Sequence, residues 1–258
     1  MSTAPVAIVT GGSGGIAPGI VRELCAAGFR VVITARSLER LEAAARSLEA
    51  HGQVVPLVSD ATSPEQIALM VEATLDRFGR IDVLVNAAAS SNPIGGAIED
   101  VDVDLLITDV DTKVGGYLRY TQAVVPAMKA QGSGHVINIG GLTGRSSDTL
   151  SGLRNVAVSH LTKVLSDQLG PFGITVNAVH PGIVRTPHLD ELFVELAHER
   201  GVDSAIVEAE FTADIPTGSI LDVEAVGRLV TFIATAPNAA VTGQSLTVDG
   251  GYSRGIYL

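Results

Sequence analysis

An apolar strand that runs without a break into a glycine-rich turn and a helix is the feature that most constrains this chain. Val6–Thr10 leads directly into Gly11-Gly12-Ser13-Gly14-Gly15-Ile16-Ala17, and an amphipathic segment follows. Glycines let the backbone approach a phosphate closely, the first N–H groups of the helix have no intrahelical partner, and the helix dipole favours an anion there. Glycines also make plain turns. The position of this run, at the first strand-to-helix turn, is what points to a nucleotide.

The remainder of the chain continues that unit. Val6–Thr10, Arg30–Ala35, Val54–Val58, Asp82–Asn86, His135–Ile139, Thr175–Val179 and Ser245–Val248 read as strands. Ile16–Ala27, Leu38–His51, Pro64–Phe78, Asp104–Ala130, Leu153–Leu169 and Val223–Ala236 read as helices. Strands apolar along nearly their whole length suit a parallel sheet covered on both faces. The alternation predicts an α/β, Rossmann-type, doubly wound parallel sheet with helices on both faces, as a single domain over residues 1–258. Residues 185–218 break the rhythm, being helical, charged and too long for an ordinary connection. Following the strand that ends near Val179, they would overhang the carboxyl ends of the strands, where such sheets bind ligands, as a substrate loop or lid.

Composition narrows the function. With 46% hydrophobic and 17% charged residues among 258, the chain supports one well-buried core. No apolar run reaches the roughly 18 residues of a membrane span, and no basic leader precedes the first strand, so a cytoplasmic protein without a targeting peptide is expected. Cys25 is the only cysteine, which excludes an intramolecular disulfide; it falls on a helix pattern as a buried structural thiol. A net charge of −11 argues against nucleic acid. His180, His188 and His198 lack metal-ligand spacing and read as loop or surface histidines, so no metal is expected.

Further segments, in order, carry a family likeness. TGGSGGIA resembles the TGxxxGxG fingerprint of the short-chain dehydrogenase/reductases, with Ala17 where the last glycine is usual. VSDAT, VLVNAAA, HPGIVRT and VTGQSLTVDGGY resemble that family's adenine-side Asp segment, its NNAG stretch, its PG-x-V-x-T turn and its last strand. The resemblance covers nearly the whole chain. It implies cofactor contacts from Gly11, Ser13, Gly15, Ile16, Arg36, Asp60, Asn86, Pro181, Gly182 and Thr186. At the end of the second strand, Ala35 and Arg36 stand where NAD-binding relatives place an Asp. Arg36 can pair with a 2′-phosphate, which favours NADP (NADPH) over NAD; the alternative is a solvated Arg at a helix start.

The resemblance also implies a Tyr acid/base with a Lys four residues later, a Ser past the fifth strand, and an Asn on the preceding long helix. The chain contains no Tyr-x-x-x-Lys: Tyr117, Tyr120 and Tyr252 are followed four residues on by Thr121, Val124 and Ile256. Matching HVINIGGLTG and NVAVSHLTKVLSDQLG to the family puts Gly141 at the Ser position, Ser151 at the Tyr position and Asn155 at the Lys position. DVDTKVGGYLRY puts Lys113 where the Asn is expected. Lys and Asn are thus exchanged, and a lysine entering from the other helix could restore the positive charge; alternatively Lys113 pairs with Asp109 or Asp111 at the helix surface. Arg145, Asp148 and Arg154 flank the same loop as candidate site residues or solvated charges.

Three functions stay open. One is an NADP(H)-dependent oxidoreductase with a non-standard active site, using Lys113, Ser151 and Asn155, on a small carbonyl or alcohol substrate. The others are a non-redox enzyme on the same scaffold (lyase, isomerase or dehydratase) and a catalytically silent partner subunit. The resemblance further implies a homo-oligomer, tetramer or dimer, in which Leu118, Val125, Val158 and Leu165 are partly covered by partners; alternatively they bury only into the chain's own sheet. Titration should show saturable binding of both nicotinamide nucleotides, tighter for NADPH, and Arg36→Asp should reverse that order. Binding of neither would defeat both enzyme readings.

Overall fold

A computed structural model describes residues 4–89, 94–95, 97–145, 149–235 and 240–255. Seven parallel strands form one sheet: β1 (Val6–Thr10), β2 (Arg30–Ala35), β3 (Val54–Val58), β4 (Val83–Asn86), β5 (Gly134–Ile139), β6 (Ile174–Pro181) and β7 (Ser245–Val248). Their order is β3-β2-β1-β4-β5-β6-β7, so the winding reverses between β1 and β4. At such a reversal the crossover helices diverge to opposite faces and leave a cleft at the carboxyl edge.

The helices are α1 (Ala17–Ala26), α2 (Leu38–Leu48), α3 (Pro64–Phe78), α4 (Val103–Val110), α5 (Gly116–Gln131), α6 (Gly152–Leu169), α7 (Pro187–Arg200), α8 (Ser204–Thr212) and α9 (Val223–Ala234). Period-two alternation divides the strands between two cores. Ala7 and Val9 of β1 pack with Ile20 and Leu24 of α1 and Val226 and Val230 of α9, whereas Ile8 packs with Ile67, Tyr120 and Leu165 of α3, α5 and α6.

Four expectations are corrected. The single long helix expected over Asp104–Ala130 is α4 and α5 joined by one π turn, Asp111–Gly115. The expected Leu38–His51 helix ends at Leu48 and tightens into a 3₁₀ turn over Glu49–His51. Val158 and Leu165 are buried within the chain's own core rather than left for a partner, while Leu118 remains exposed. His180, expected at the surface, is buried, because β6 runs on to Pro181 and carries it inside. Cys25 is buried as expected, and burial pushes its thiol up.

The 185–218 excursion folds as α7 and α8 around a cluster of its own, Phe193, Ala197 and Val207. Its base is pinned where Arg185 N donates to Leu221 O (2.8 Å) and Leu221 N donates to Ile183 O (3.0 Å). Among the described residues no helix is long and apolar enough to cross a membrane.

The crossing of α1 and α9 is backbone against backbone. A Cβ on Gly19 would lie 2.3 Å from the Val223 carbonyl, and one on Gly227 would lie 2.4 Å from Gly19 O. Gly19→Val should therefore force the helices apart and cost about 3 kcal/mol. A urea titration checks this: the midpoint should fall with the slope unchanged.

Candidate functional site

The residues singled out by sequence gather along one edge of the sheet, the carboxyl ends of the strands. At the reversal, Gly11 adopts φ +69°, and a Cβ there would lie 2.9 Å from Ala88 Cα, so the turns after β1 and β4 touch. Thr10 Oγ1 accepts from Ala87 N (2.9 Å) and Ala88 N (3.0 Å), which locks that contact. Gly12 fits only without a side chain, since its Cβ would stand 2.5 Å from Ile33 Cβ. Gly15, at φ +61°, faces open space, and Ile16 begins α1 with no side-chain cap on its N–H groups. An anionic diphosphate would meet donors and room here, and Ser13 lies on the same turn.

Arg36 is exposed at the end of β2, and Arg40 Nη2 lies 3.6 Å from where a Cβ on Gly14 would be. Two guanidinium groups thus border the turn. Asp60 Oδ1 accepts from Thr62 N (2.8 Å) and Thr62 Oγ1 (2.7 Å); the backbone bond above all lowers the Asp60 carboxyl below its usual range. Gly182 N donates to Val248 O (2.8 Å), a Cβ on Gly182 would lie 2.8 Å from Asp249 Cα, and Pro181 is buried. Thr186 caps α7, its Oγ1 accepting from Leu189 N (3.3 Å).

Asn86 differs from the other expected cofactor contacts. It is fully buried, and its Nδ2 donates to Asn138 Oδ1 (2.9 Å) in the register partner on β5. It ties β4 to β5 beneath the cleft rather than facing a ligand. Asn138 Nδ2 passes the link to Thr162 Oγ1 on α6 (3.0 Å).

At the other side of the cleft stands Lys113, only 4% exposed. It sits in the π turn between α4 and α5, and such a turn redirects a side chain out of helical register. Its Nζ donates to Asn155 Oδ1 (2.8 Å) and Gly140 O (3.1 Å). Neither aspartate considered as its partner holds it: Asp109 pairs with Arg154, and Asp111 with Arg119 (2.5 Å). Burial chiefly, and then the Arg154 charge, lowers the Lys113 ammonium to about 7, with Asp109 opposing. Arg154, considered a solvated charge, is largely buried with Asp109 across α6 and α4.

Asn155 Nδ2 donates to Thr143 Oγ1 (2.7 Å) on the turn after β5. Ser151 starts α6 one turn earlier but is engaged elsewhere: it is buried and its Oγ accepts from Ile94 N (2.9 Å). Asp148 lies outside the described residues, and of the Arg145 side chain nothing is described. Tyr117 is buried one turn beyond Lys113; its hydroxyl donates to Ile139 O (2.9 Å), and burial drives its ionisation far up.

Three participants were not anticipated. His180 packs under the turn, where a Cβ on Gly140 would lie 2.3 Å from its ring, and Ser159 Oγ lies 3.1 Å from its Nε2. Thr143 and Tyr117 complete the set. Only the Gly140-Gly141 pair directly after a strand hinted at something seated beneath the backbone there.

The profile described as Enoyl-(Acyl carrier protein) reductase matches residues 11–253. A Streptomyces virginiae protein assigned as a ketoacyl reductase of the monensin polyketide synthase is 34% identical over 260 residues, covering 97% of each chain. The solved structure of a variant of actinorhodin polyketide ketoreductase with NADPH is 33% identical, with a TM-score of 0.89 over 98% of this chain and 100% of that one. L-Sorbose reductase from Gluconobacter frateurii, solved with NADPH and L-sorbose, is 25% identical, with a TM-score of 0.91 over 98% of both chains.

The buried ammonium has a consequence for stability. The native Lys113 loses its proton near 7, against an ordinary lysine value of 10.5. Between those values the unfolded chain binds more protons than the native one, so stability rises with pH. Urea unfolding of the protein and of Lys113→Met should show the wild type gaining on the variant, on the order of 2–4 kcal/mol from pH 7 to 10. Below pH 7 the difference should level off. A difference constant across that range would mean that Lys113 is not buried as a base.

Proposed function

The chain belongs to the short-chain dehydrogenase/reductase family, and from that membership we propose that it is an NADP(H)-dependent oxidoreductase interconverting a small ketone and its alcohol through a non-standard active site. The observation that carries this reading is the Lys113–Asn155 hydrogen bond at the cleft, joined to a glycine-rich turn with space for a diphosphate. NADPH is the preferred cofactor because Arg36 and Arg40 border the turn and because relatives at 33% and 25% identity are solved with NADPH.

When bound, NADPH supplies the hydride. Gly11, Ser13, Gly15 and Ile16 would hold its diphosphate, Arg36 its 2′-phosphate, Asp60 its adenine, and Pro181, Gly182 and Thr186 its nicotinamide end. Reduction breaks the carbonyl π bond, leaves an electron pair on oxygen and consumes one proton overall. Charge developing on that oxygen is stabilised by preorganised donors and cations in a site shielded from water. Lys113 provides the cation. Two of its three N–H bonds are committed to Gly140 O and Asn155 Oδ1, so its head stays in place in either protonation state. Ser151 holds the Ile94 backbone against α6 and so shapes the wall of the cleft. In this reading the α7–α8 excursion covers the substrate, and exposed Leu118, Leu153 and Val156 on α5 and α6 meet a second copy of the chain.

Incubation of the protein with NADPH and a panel of ketones, following cofactor absorbance and product mass together, tests the reading. Turnover should be highest below about pH 7 and fall about tenfold per pH unit above it, as the Lys113 ammonium is lost. Lys113→Met should lower kcat/KM about 100-fold and flatten the profile. A changed product with unchanged cofactor would support a lyase or isomerase instead. Binding of NADPH with no turnover of any ketone would support a silent partner.

A further inference from the structure

A lysine ammonium offers donors only. Asn155 must therefore turn its carbonyl oxygen to Lys113, which fixes the amide orientation that a map of heavy atoms leaves open. Its Nδ2 must then face Thr143, 2.7 Å away. Because Nδ2 only donates, Thr143 Oγ1 accepts, and the hydroxyl's own proton must point elsewhere. Among the described residues, that proton has no acceptor within hydrogen-bond reach. Thr143 is half-buried, whereas Lys113 and Asn155 are buried.

The backbone explains why a hydroxyl stands at this position. A Cβ on Gly141 would lie 2.9 Å from Asn155 Nδ2, so the amide occupies the space a side chain at 141 would need. The hydroxyl that meets that amide comes instead from Thr143, two residues along the turn.

We propose that Thr143 is a catalytic residue of this site, its hydroxyl donating a hydrogen bond to the carbonyl or alcohol oxygen of the substrate. This deepens the oxidoreductase reading and rests on it. The chain runs Lys113, Asn155, Thr143, substrate oxygen, each member donating to the next. Hydrogen bonds in such a chain polarise one another, so the ammonium at its buried end strengthens the Thr143 donor at its open end. No bond breaks at Thr143. As hydride adds to carbon, negative charge grows on oxygen and the hydrogen bond shortens, which favours the transition state over the bound ketone. The ligand class is a neutral ketone or secondary alcohol, because the donor offered to it is one uncharged hydroxyl, which recognises a single oxygen without a second charge.

The test uses Thr143→Val, which keeps the shape and removes the hydroxyl, and Thr143→Ser, which keeps the hydroxyl. With NADPH and cyclohexanone as the probe, Thr143→Val should lower kcat/KM at least about 30-fold, and Thr143→Ser should stay within about threefold of wild type. NADPH affinity should be unchanged in both. The break in the pH profile should stay in place in Thr143→Val, since Lys113 is untouched; a displaced break would show that Thr143 acts only by holding Asn155, and would overturn the proposal. So would a fully active Thr143→Val. If the wild type reduces no ketone, the oxidoreductase reading fails and saturation-transfer NMR decides the contact. Cyclohexanone bound to the NADP⁺-loaded wild type and Thr143→Ser, but not to Thr143→Val, would support Thr143. Equal binding to all three, or binding to none, would overturn it.

Discussion

An ammonium group cannot accept a hydrogen bond, and burying one obliges its neighbours to arrange themselves around it. Lys113 places that demand on the end of β5. Two of its protons need oxygens, and Gly140 O and Asn155 Oδ1 provide them. With Asn155 committed, position 141 has no room for a Cβ, and the His180 ring beneath leaves none at position 140. The second cation close by, Arg154, is neutralised by Asp109 across the α4–α6 contact. The turn after β5, the π turn before α5 and the start of α6 therefore form one mutually dependent unit.

The sheet beneath is governed by other forces. Its strands are held by apolar burial on both faces and by parallel ladders, and its β1–β4 junction by the close approach of two turns bridged by Thr10. The polar link from Asn86 through Asn138 to Thr162 crosses between the two regimes, joining two strands to α6 under the cleft floor. Buried hydrogen bonds of this kind rigidify the scaffold against which a reacting group must be positioned, although Asn86 Oδ1 has no partner among the described residues. Asn86 is thus important to the site without facing it.

This division explains what the sequence made legible. Periodicity of apolar residues placed β1, β2, β3, β7 and α3 to the residue, because burial on the sheet is a repeating local signal. Resemblance brought Lys113 and Asn155 forward as a pair, and they meet. The π turn went unread because one helical pattern was followed across Asp111–Gly115, where the extra residue shifts the apolar register by one position. Arg154 and His180 were misplaced because a charged or titratable side chain is normally exposed, and each is buried only through a contact distant in sequence, with Asp109 and with the Gly140-Gly141 turn. Thr143 carried no signal of its own. Its significance comes from the direction of a hydrogen bond, which no residue pattern records.

The α7–α8 pair packs around Phe193, Ala197 and Val207, separate from the two cores that clamp the sheet; its flanks join the body through the Ile183–Arg185 and Leu221 pairing, through Thr217 N to Gly250 O (3.2 Å), and through Arg254 Nη2 to Asp214 O (3.2 Å). Phe193 and Phe211 meet edge to face within it, and Arg185 reaches Asp190 and Glu208 to span both helices. A unit with a small core of its own opens cooperatively at a lower free energy than the sheet beneath. Its amide hydrogens will thus exchange with solvent as a group, ahead of those in the strands. Changes to its residues will be absorbed within that unit, so its surface can drift while the sheet and its buried lysine stay as they are.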